Sequence, residues 1–230
     1  MAVGSWSKPL ALILAFALAG CNSEEPGKDG AAINPESERA VPADAPEVDI
    51  LAFGDSLFAG YGVKKSESYP ARLEDALRAR GFNANVVNAG VSGDTSAAGR
   101  QRLAFTLDAQ TEKPDLVILE LGGNDLLRGL PPAETRANFE AMLDELKKRD
   151  IDVLLMGMRS PPNYGGEFTA QFDGLYPALA KEYGADLVPF FLEAIYTDPG
   201  LFQNDRIHPT PQGIDLIVAD TVDEVEEALD

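Results

Sequence analysis

A single cysteine, Cys21, and a single histidine, His208, stand in a chain of 230 residues. The first scarcity excludes any internal disulfide, so an oxidising compartment would contribute nothing to stability. The second means that any histidine-dependent reaction must use His208. Basic residues are few as well: 19 Lys and Arg stand against 38 Asp and Glu, a formal net charge of −19. Such a chain repels phosphate backbones and anionic membrane surfaces, which removes nucleic acid from the partners to consider. No apolar run approaches the roughly 20 residues that a bilayer-spanning helix needs. What remains, 45% hydrophobic and 25% charged residues, is the composition of one ordinary globular domain with material for a sizeable core.

The N-terminus reads as a targeting segment over residues 1–20: Lys8 gives a weak positive start, "PLALILAFAL" a short apolar run, and small residues follow. Cys21 closes "LAGC", which resembles the lipobox of bacterial lipoproteins. The resemblance implies that Cys21 is diacylated and becomes the mature N-terminus. A cysteine between Gly20 and Asn22, ahead of a polar tract, has no core to enter. Removal of Lys8 with the leader takes the net charge from −19 to −20. Residues 21–46, rich in Pro, Ala, Gly and Glu without an apolar period, read as a disordered tether. The chain is thus expected to be exported and anchored by lipid, facing the periplasm or the cell surface, with its folded domain over 47–230.

From Val48 onward, short apolar runs alternate with amphipathic ones: "VDILAFG", "YPARLEDALRARG", "ANVVNAG", "SAAGRQRLAFTLDAQ", "DLVILELGG" and their successors. The strands are continuously apolar, so both sheet faces are covered, which predicts a parallel, doubly wound, three-layer α/β domain. Pro132 and Glu134 predict the start of a helix that "KKRD" ends, and Gly81 and Gly184 sit where helices should stop. Ligands in such folds bind beyond the carboxyl ends of the strands, which directs attention to "GDSLFAGYG", "NAGVSGDTS", "GGNDLLRG", "RSPPNYGG" and "NDRIHPTPQG".

Asp205 precedes His208 by three residues, close enough in a turn to bond the ring Nδ1–H and leave Nε2 free as a base. The same pair also reads as a solvated aspartate and a histidine that merely packs at a helix entry. Ser56 ends the first strand, where a turning backbone exposes a hydroxyl and lends its amide as an oxyanion donor, although serine is also a common helix cap. Gly93 can present a backbone N–H at close approach and Asn124 can aim a carboxamide N–H from the end of the third strand. Each is equally good turn or cap chemistry taken alone. Asp94 and Asp125 lack partners at a metal-ligand spacing and are read as shaping their loops.

Together, "GDSL", the glycine of "SGDTS", "GGND" and "DRIHP" resemble the four sequence blocks of the SGNH, or GDSL, hydrolases, specifically the bacterial thioesterase I, lysophospholipase and arylesterase branch. The resemblance runs from about Val48 to the C-terminus. It implies a flavodoxin-like fold with a five-stranded parallel sheet, Ser56 as nucleophile, His208 as base and then acid, and Asp205 as its orienter. It further implies an oxyanion hole formed by the Ser56 and Gly93 amides and the Asn124 side chain, with no cofactor and no metal. Phe58, where many relatives carry a small hydroxyl residue, leaves open whether its side chain covers the core or lines the crevice.

Leu126, Leu127, Pro162 and Tyr164, in the loops after the third and fourth strands, are the expected substrate-binding residues, an apolar supply suited to an acyl chain or aromatic ring. The expected activity is hydrolysis of carboxylic esters: lysophospholipid, aryl or short-to-medium acyl esters, with thioesters ranked lower because acyl-CoA is not expected outside the cytoplasm. Two alternatives stay open: deacetylation of envelope polysaccharide, and a non-catalytic lipoprotein that binds acylated ligands on the same fold. The chain is read as a monomer whose partner is a small-molecule ester.

Overall fold

The computed structural model describes residues 45–229; the leader, Cys21 and nearly all of the expected tether lie outside the described residues. Five strands, β1 (Glu47–Gly54), β2 (Asn83–Gly90), β3 (Leu116–Glu120), β4 (Asp152–Met156) and β5 (Asp186–Val188), form one sheet in the order β2-β1-β3-β4-β5. Every pairing is parallel, with Gly54 at the carboxyl end of β1 level with Gly90 of β2 and Glu120 of β3. The three-layer α/β expectation and its five-stranded parallel sheet are therefore met.

Among the described residues seven α-helices accompany the sheet: α1 (Ser56–Ala59), α2 (Tyr69–Ala79), α3 (Ser96–Asp108), α4 (Gly123–Leu127), α5 (Pro132–Lys148), α6 (Gly166–Tyr183) and α7 (Pro211–Glu227). Helix α2 packs on α7, while α3 packs on α5 and α5 on α6. Right-handed crossovers require this division, because the chain leaves β1 toward β2 and then reverses toward β3, β4 and β5. All five residues of β3 and the last five of β1 are buried, which is why their sequences are apolar without alternation. Gly81 follows the α2 cap at φ +97° and Gly184 caps α6 at φ +71°, the two predicted helix stops.

The reversal of strand order falls at β1, so the crevice opens between the carboxyl ends of β1 and β3. The short helices α1 and α4, which continue directly from those two strands, line it. Phe58 of α1 points away from this crevice. Its ring is fully buried, stacks on Tyr69 at 5.1 Å between centroids and meets Phe191 edge-on at 5.6 Å, so it belongs to the core.

Candidate active site

Ser56 is the first residue of α1, a helix whose position depends on two missing side chains. A Cβ on Gly54 would sit 2.7 Å from the Glu120 carbonyl oxygen and 2.9 Å from Phe58 Cδ2. One on Gly90 would sit 2.2 Å from the Ala59 nitrogen. Gly90 of β2 thus accepts the helix against bare backbone, and Gly54 of β1 leaves room for the Phe58 ring. Asp55 caps it, Oδ1 accepting from the Leu57 N–H at 3.0 Å.

His208 arrives from the segment between β5 and α7. There, Phe202 and Pro209 form an isolated antiparallel bridge and the Gln203 N–H donates to the His208 carbonyl oxygen at 2.7 Å. The reversal between them places Arg206 at φ +58°. Within this narrow loop Asp205 Oδ1 accepts from the backbone N–H of Ile207 and of His208, both at 3.0 Å, and Oδ2 lies 2.7 Å from His208 Nδ1. On the other side of the ring, Nε2 lies 2.9 Å from Ser56 Oγ. Burial alone would raise the Asp205 carboxyl, but the bonds from the His208 ring and from the two backbone N–H groups outweigh it and hold the group down at about 2. Asp205 is therefore a carboxylate able to fix Nδ1–H and leave Nε2 as an acceptor from the Ser56 hydroxyl. The structure brings together three residues that are separated by as many as 152 positions in the chain.

Asn124 lies in the first turn of α4. Its Nδ2 donates to Asp55 Oδ2 at 2.9 Å, which uses one of its two N–H groups and leaves the other free. Gly93, at φ +88°, lines the same cavity as Ser56 and Asn124, and its carbonyl oxygen accepts from Arg128 Nη2 at 2.8 Å. Asp94 pairs with Arg102 at 2.6 Å, and buried Asp125 accepts from the Ser96 N–H and from the Ser96 and Thr135 hydroxyls. Both aspartates hold their loops.

Beneath Asp55 lies a second carboxyl that the sequence did not single out. Glu120, at the end of β3, is fully buried; its Oε2 accepts from the Asp55 N–H at 3.2 Å and its Oε1 has no partner. Burial, reinforced by the neighbouring Asp55 charge, pushes Glu120 well above the usual carboxylate range. Burial also raises Asp55, but the Leu57 N–H and the Asn124 amide draw it back. Asp55 receives more hydrogen-bond donors than Glu120, so of the two carboxyls Glu120 is held the more strongly toward its neutral form.

Ser56 and His208 open into a cavity of about 540 Å³. Leu126 and Leu127 line it, as expected, together with Met158, Phe190, Leu192 and Tyr196. Pro162 and Tyr164 do not. They form a 3-10 turn, from which the Tyr164 hydroxyl donates to the Leu126 carbonyl oxygen at 2.8 Å, and Pro161 meets the cavity instead. The correction has a simple cause: the turn is closed by Tyr164 bonding the backbone of α4, which draws its ring, tilted by 33° to that of Phe168, against the core rather than into the cavity.

The chain is similar to known proteins. Residues 52–216 match the GDSL-like Lipase/Acylhydrolase family. An arylesterase of Vibrio mimicus is 42% identical over 163 residues, covering 71% of this chain and 80% of the relative. Thioesterase 1/protease 1/lysophospholipase L1 of Escherichia coli (strain K12) is 42% identical over 171 residues, covering 74% and 78%. Among solved structures, AlinE4, described as an SGNH-hydrolase family esterase, is 59% identical with a TM-score of 0.69, covering 81% of this chain and 98% of that one. A family match across most of the described domain, and relatives of this identity along most of their own length, leave one assignment: the chain belongs to the GDSL-like lipase/acylhydrolase, or SGNH hydrolase, family.

Proposed function

We propose that the protein is a serine esterase that hydrolyses carboxylic esters with an apolar acyl or aryl portion. The observation that carries the reading is the continuous line from Asp205 through His208 to Ser56, with contacts of 2.7 and 2.9 Å, its last two members lining an apolar cavity. Ser56 Oγ attacks the ester carbonyl as His208 Nε2 takes its proton, and Asp205 stabilises the imidazolium that results. The Ser56 and Gly93 amides and the free N–H of Asn124 receive the developing oxyanion. Collapse of the tetrahedral species expels the alcohol, which takes the proton from His208 and leaves an acyl group on Ser56. A water deprotonated by His208 then releases the acid and restores the hydroxyl.

The names of the relatives, an arylesterase and a thioesterase/lysophospholipase, agree with this reaction class. The lipobox-like "LAGC" supports a second part of the proposal, that the enzyme works outside the cytoplasm on a lipid tether at Cys21. Two experiments test these statements. Purified protein should hydrolyse p-nitrophenyl acyl esters and react with a fluorophosphonate, and Ser56→Ala should abolish both; turnover surviving in that variant overturns the assignment. Cys21→Ser should abolish fatty-acid incorporation and membrane attachment, and unchanged attachment overturns the anchor.

A further inference from the structure

Ser56 and His208 sit on separate loops, and their 2.9 Å contact is only as well defined as the spacing of those loops. One side chain spans the gap. Gln203 Nε2 donates to the Tyr61 carbonyl oxygen at 2.8 Å, in the loop that continues from α1, and to the Pro209 carbonyl oxygen at 2.9 Å, next to His208. These two bonds use both hydrogens of the amide. The backbone of Gln203 is fixed as well, because its N–H donates to the His208 carbonyl oxygen and its own carbonyl oxygen accepts from the Arg206 N–H at 2.9 Å.

A second observation is independent of those bonds. Gly62, at φ +75°, lies so close to the carboxamide that a Cβ there would be 2.2 Å from Gln203 Oε1. The nucleophile loop is therefore shaped to admit this amide. Its approach also fixes the backbone of Tyr61, whose ring lies over the His208 imidazole with centroids 4.3 Å apart and planes tilted by 30°. An aromatic face in that position attracts the imidazolium that forms when His208 takes the serine proton.

We infer that Gln203 is a positioning residue for the Ser56–His208 pair: its carboxamide ties the nucleophile loop to the base loop and holds the Tyr61 ring against the imidazole. The inference rests on the proposed roles of Ser56 and His208. Since it acts on the alignment of reacting groups rather than on the acyl cavity, loss of the tie reduces kcat and leaves substrate affinity nearly intact.

The test compares full-length wild type with Gln203→Glu, Gln203→Asn and Gly62→Ala. Gln203→Glu keeps the shape but turns a carboxylate toward two carbonyl oxygens. Gln203→Asn is one methylene short of the span. Gly62→Ala displaces the amide while leaving it in the chain. Three quantities are read: kcat and KM for p-nitrophenyl butyrate, the fluorophosphonate labelling rate of Ser56, and the melting temperature. The expected result is a fall of roughly 10- to 100-fold in kcat, with the labelling rate falling in parallel and KM changing less than about threefold. Wild-type kcat in Gln203→Glu overturns the inference, as does a loss confined to melting temperature. Should the Gln203 variants fail to fold, Gly62→Ala decides by the same criteria, and a wild-type kcat there is equally contrary. A parallel Ser56→Ala control separates the two levels: if it retains turnover the proposed function fails, whereas an inactive control beside a fully active Gln203→Glu removes only the positioning role.

Discussion

Replacing Glu120 by glutamine exchanges a carboxyl that burial holds toward its neutral form for a group that is always neutral. Glu120 is fully buried, receives one backbone N–H from Asp55 at 3.2 Å and leaves Oε1 without a partner, so ionisation in the folded state is strongly opposed. Its folded-state affinity for a proton exceeds that of the unfolded chain, because burial and the Asp55 charge raise it. A group shifted in this direction contributes fully to stability below the ordinary glutamate range, and the contribution is lost as pH rises from there toward the folded value. The slope of the loss is about 1.4 kcal/mol per pH unit for one proton. Glutamine has no proton to lose, while the repulsion arising from the overall charge of −19 acts in both proteins and cancels in their difference. Stability of wild type relative to Glu120→Gln should therefore decline as pH rises above the ordinary glutamate range. In urea, with a dependence of about 1–3 kcal/mol per molar, the gap between midpoints should move by roughly 0.5–1.4 M per pH unit, in favour of the variant at the alkaline end. Urea titrations at four pH values are sufficient. Midpoints that run parallel across the range would refute the raised proton affinity of Glu120.

Asn124→Ala removes a proposed oxyanion donor and deprives Asp55 Oδ2 of its partner, and kcat for a p-nitrophenyl ester is expected to fall about 10²–10³-fold; an unchanged kcat excludes the donor role. Phe58→Ala empties a fully buried site stacked on Tyr69 and should cost about 3–5 kcal/mol in urea unfolding. A change in KM with unaltered stability would place Phe58 in the crevice after all. Asp205, held down at about 2, keeps its charge as pH falls through the neutral and mildly acidic range. Its stabilising contribution persists above the ordinary aspartate range and is lost only as pH falls toward about 2, the sign expected of a depressed carboxyl. Asp205→Asn should accordingly lower kcat throughout the pH plateau, by up to about 10⁴-fold, and a loss confined to one pH limb argues against its orienting role. Met158→Trp, which fills part of the cavity floor, should raise KM for long-chain esters more than for acetate esters in a chain-length series; an equal effect on all lengths would place the acyl chain elsewhere.

The layers of this fold are written in local pattern. Buried strands such as "LVILE" carry no alternation because helices cover both faces, and Gly81 and Gly184 end helices through a backbone conformation that glycine adopts without strain. Ser56, Asp205, His208, Gly93 and Asn124 could be singled out because each lies at a strand end or in a short turn motif. What the sequence could not convey are contacts whose two members have no common local signal. Glu120 looks like one more acidic residue in an acidic chain until the parallel register sets it level with Gly54. Gln203 sits in a loop without periodicity, and its partner Tyr61 is 142 residues away. The acyl wall was only half legible for the same reason. Leu126 and Leu127 follow directly from β3, but Tyr164 is turned inward by a bond to the Leu126 backbone, while Phe190, Leu192 and Tyr196 reach the cavity from beyond β5. The short helices α1 and α4 were also missed, since four or five residues are too few to show a helical period.

The missing side chains at Gly54 and Gly90 have a consequence for how such an enzyme can change. At Gly90 the strand meets the backbone of the nucleophile helix and at Gly54 it meets the buried Phe58 ring and Glu120, so an added carbon at either glycine is transmitted to the helix that carries Ser56. The rest of the lining includes exposed side chains on α4 and on loops, among them Leu127 and Tyr196, that bear little of the core and can be exchanged one at a time. Chemistry and selectivity are in this way assigned to different materials, an immovable seat and a replaceable lining. Directed evolution toward new esters should accumulate its accepted substitutions almost entirely on the loop side.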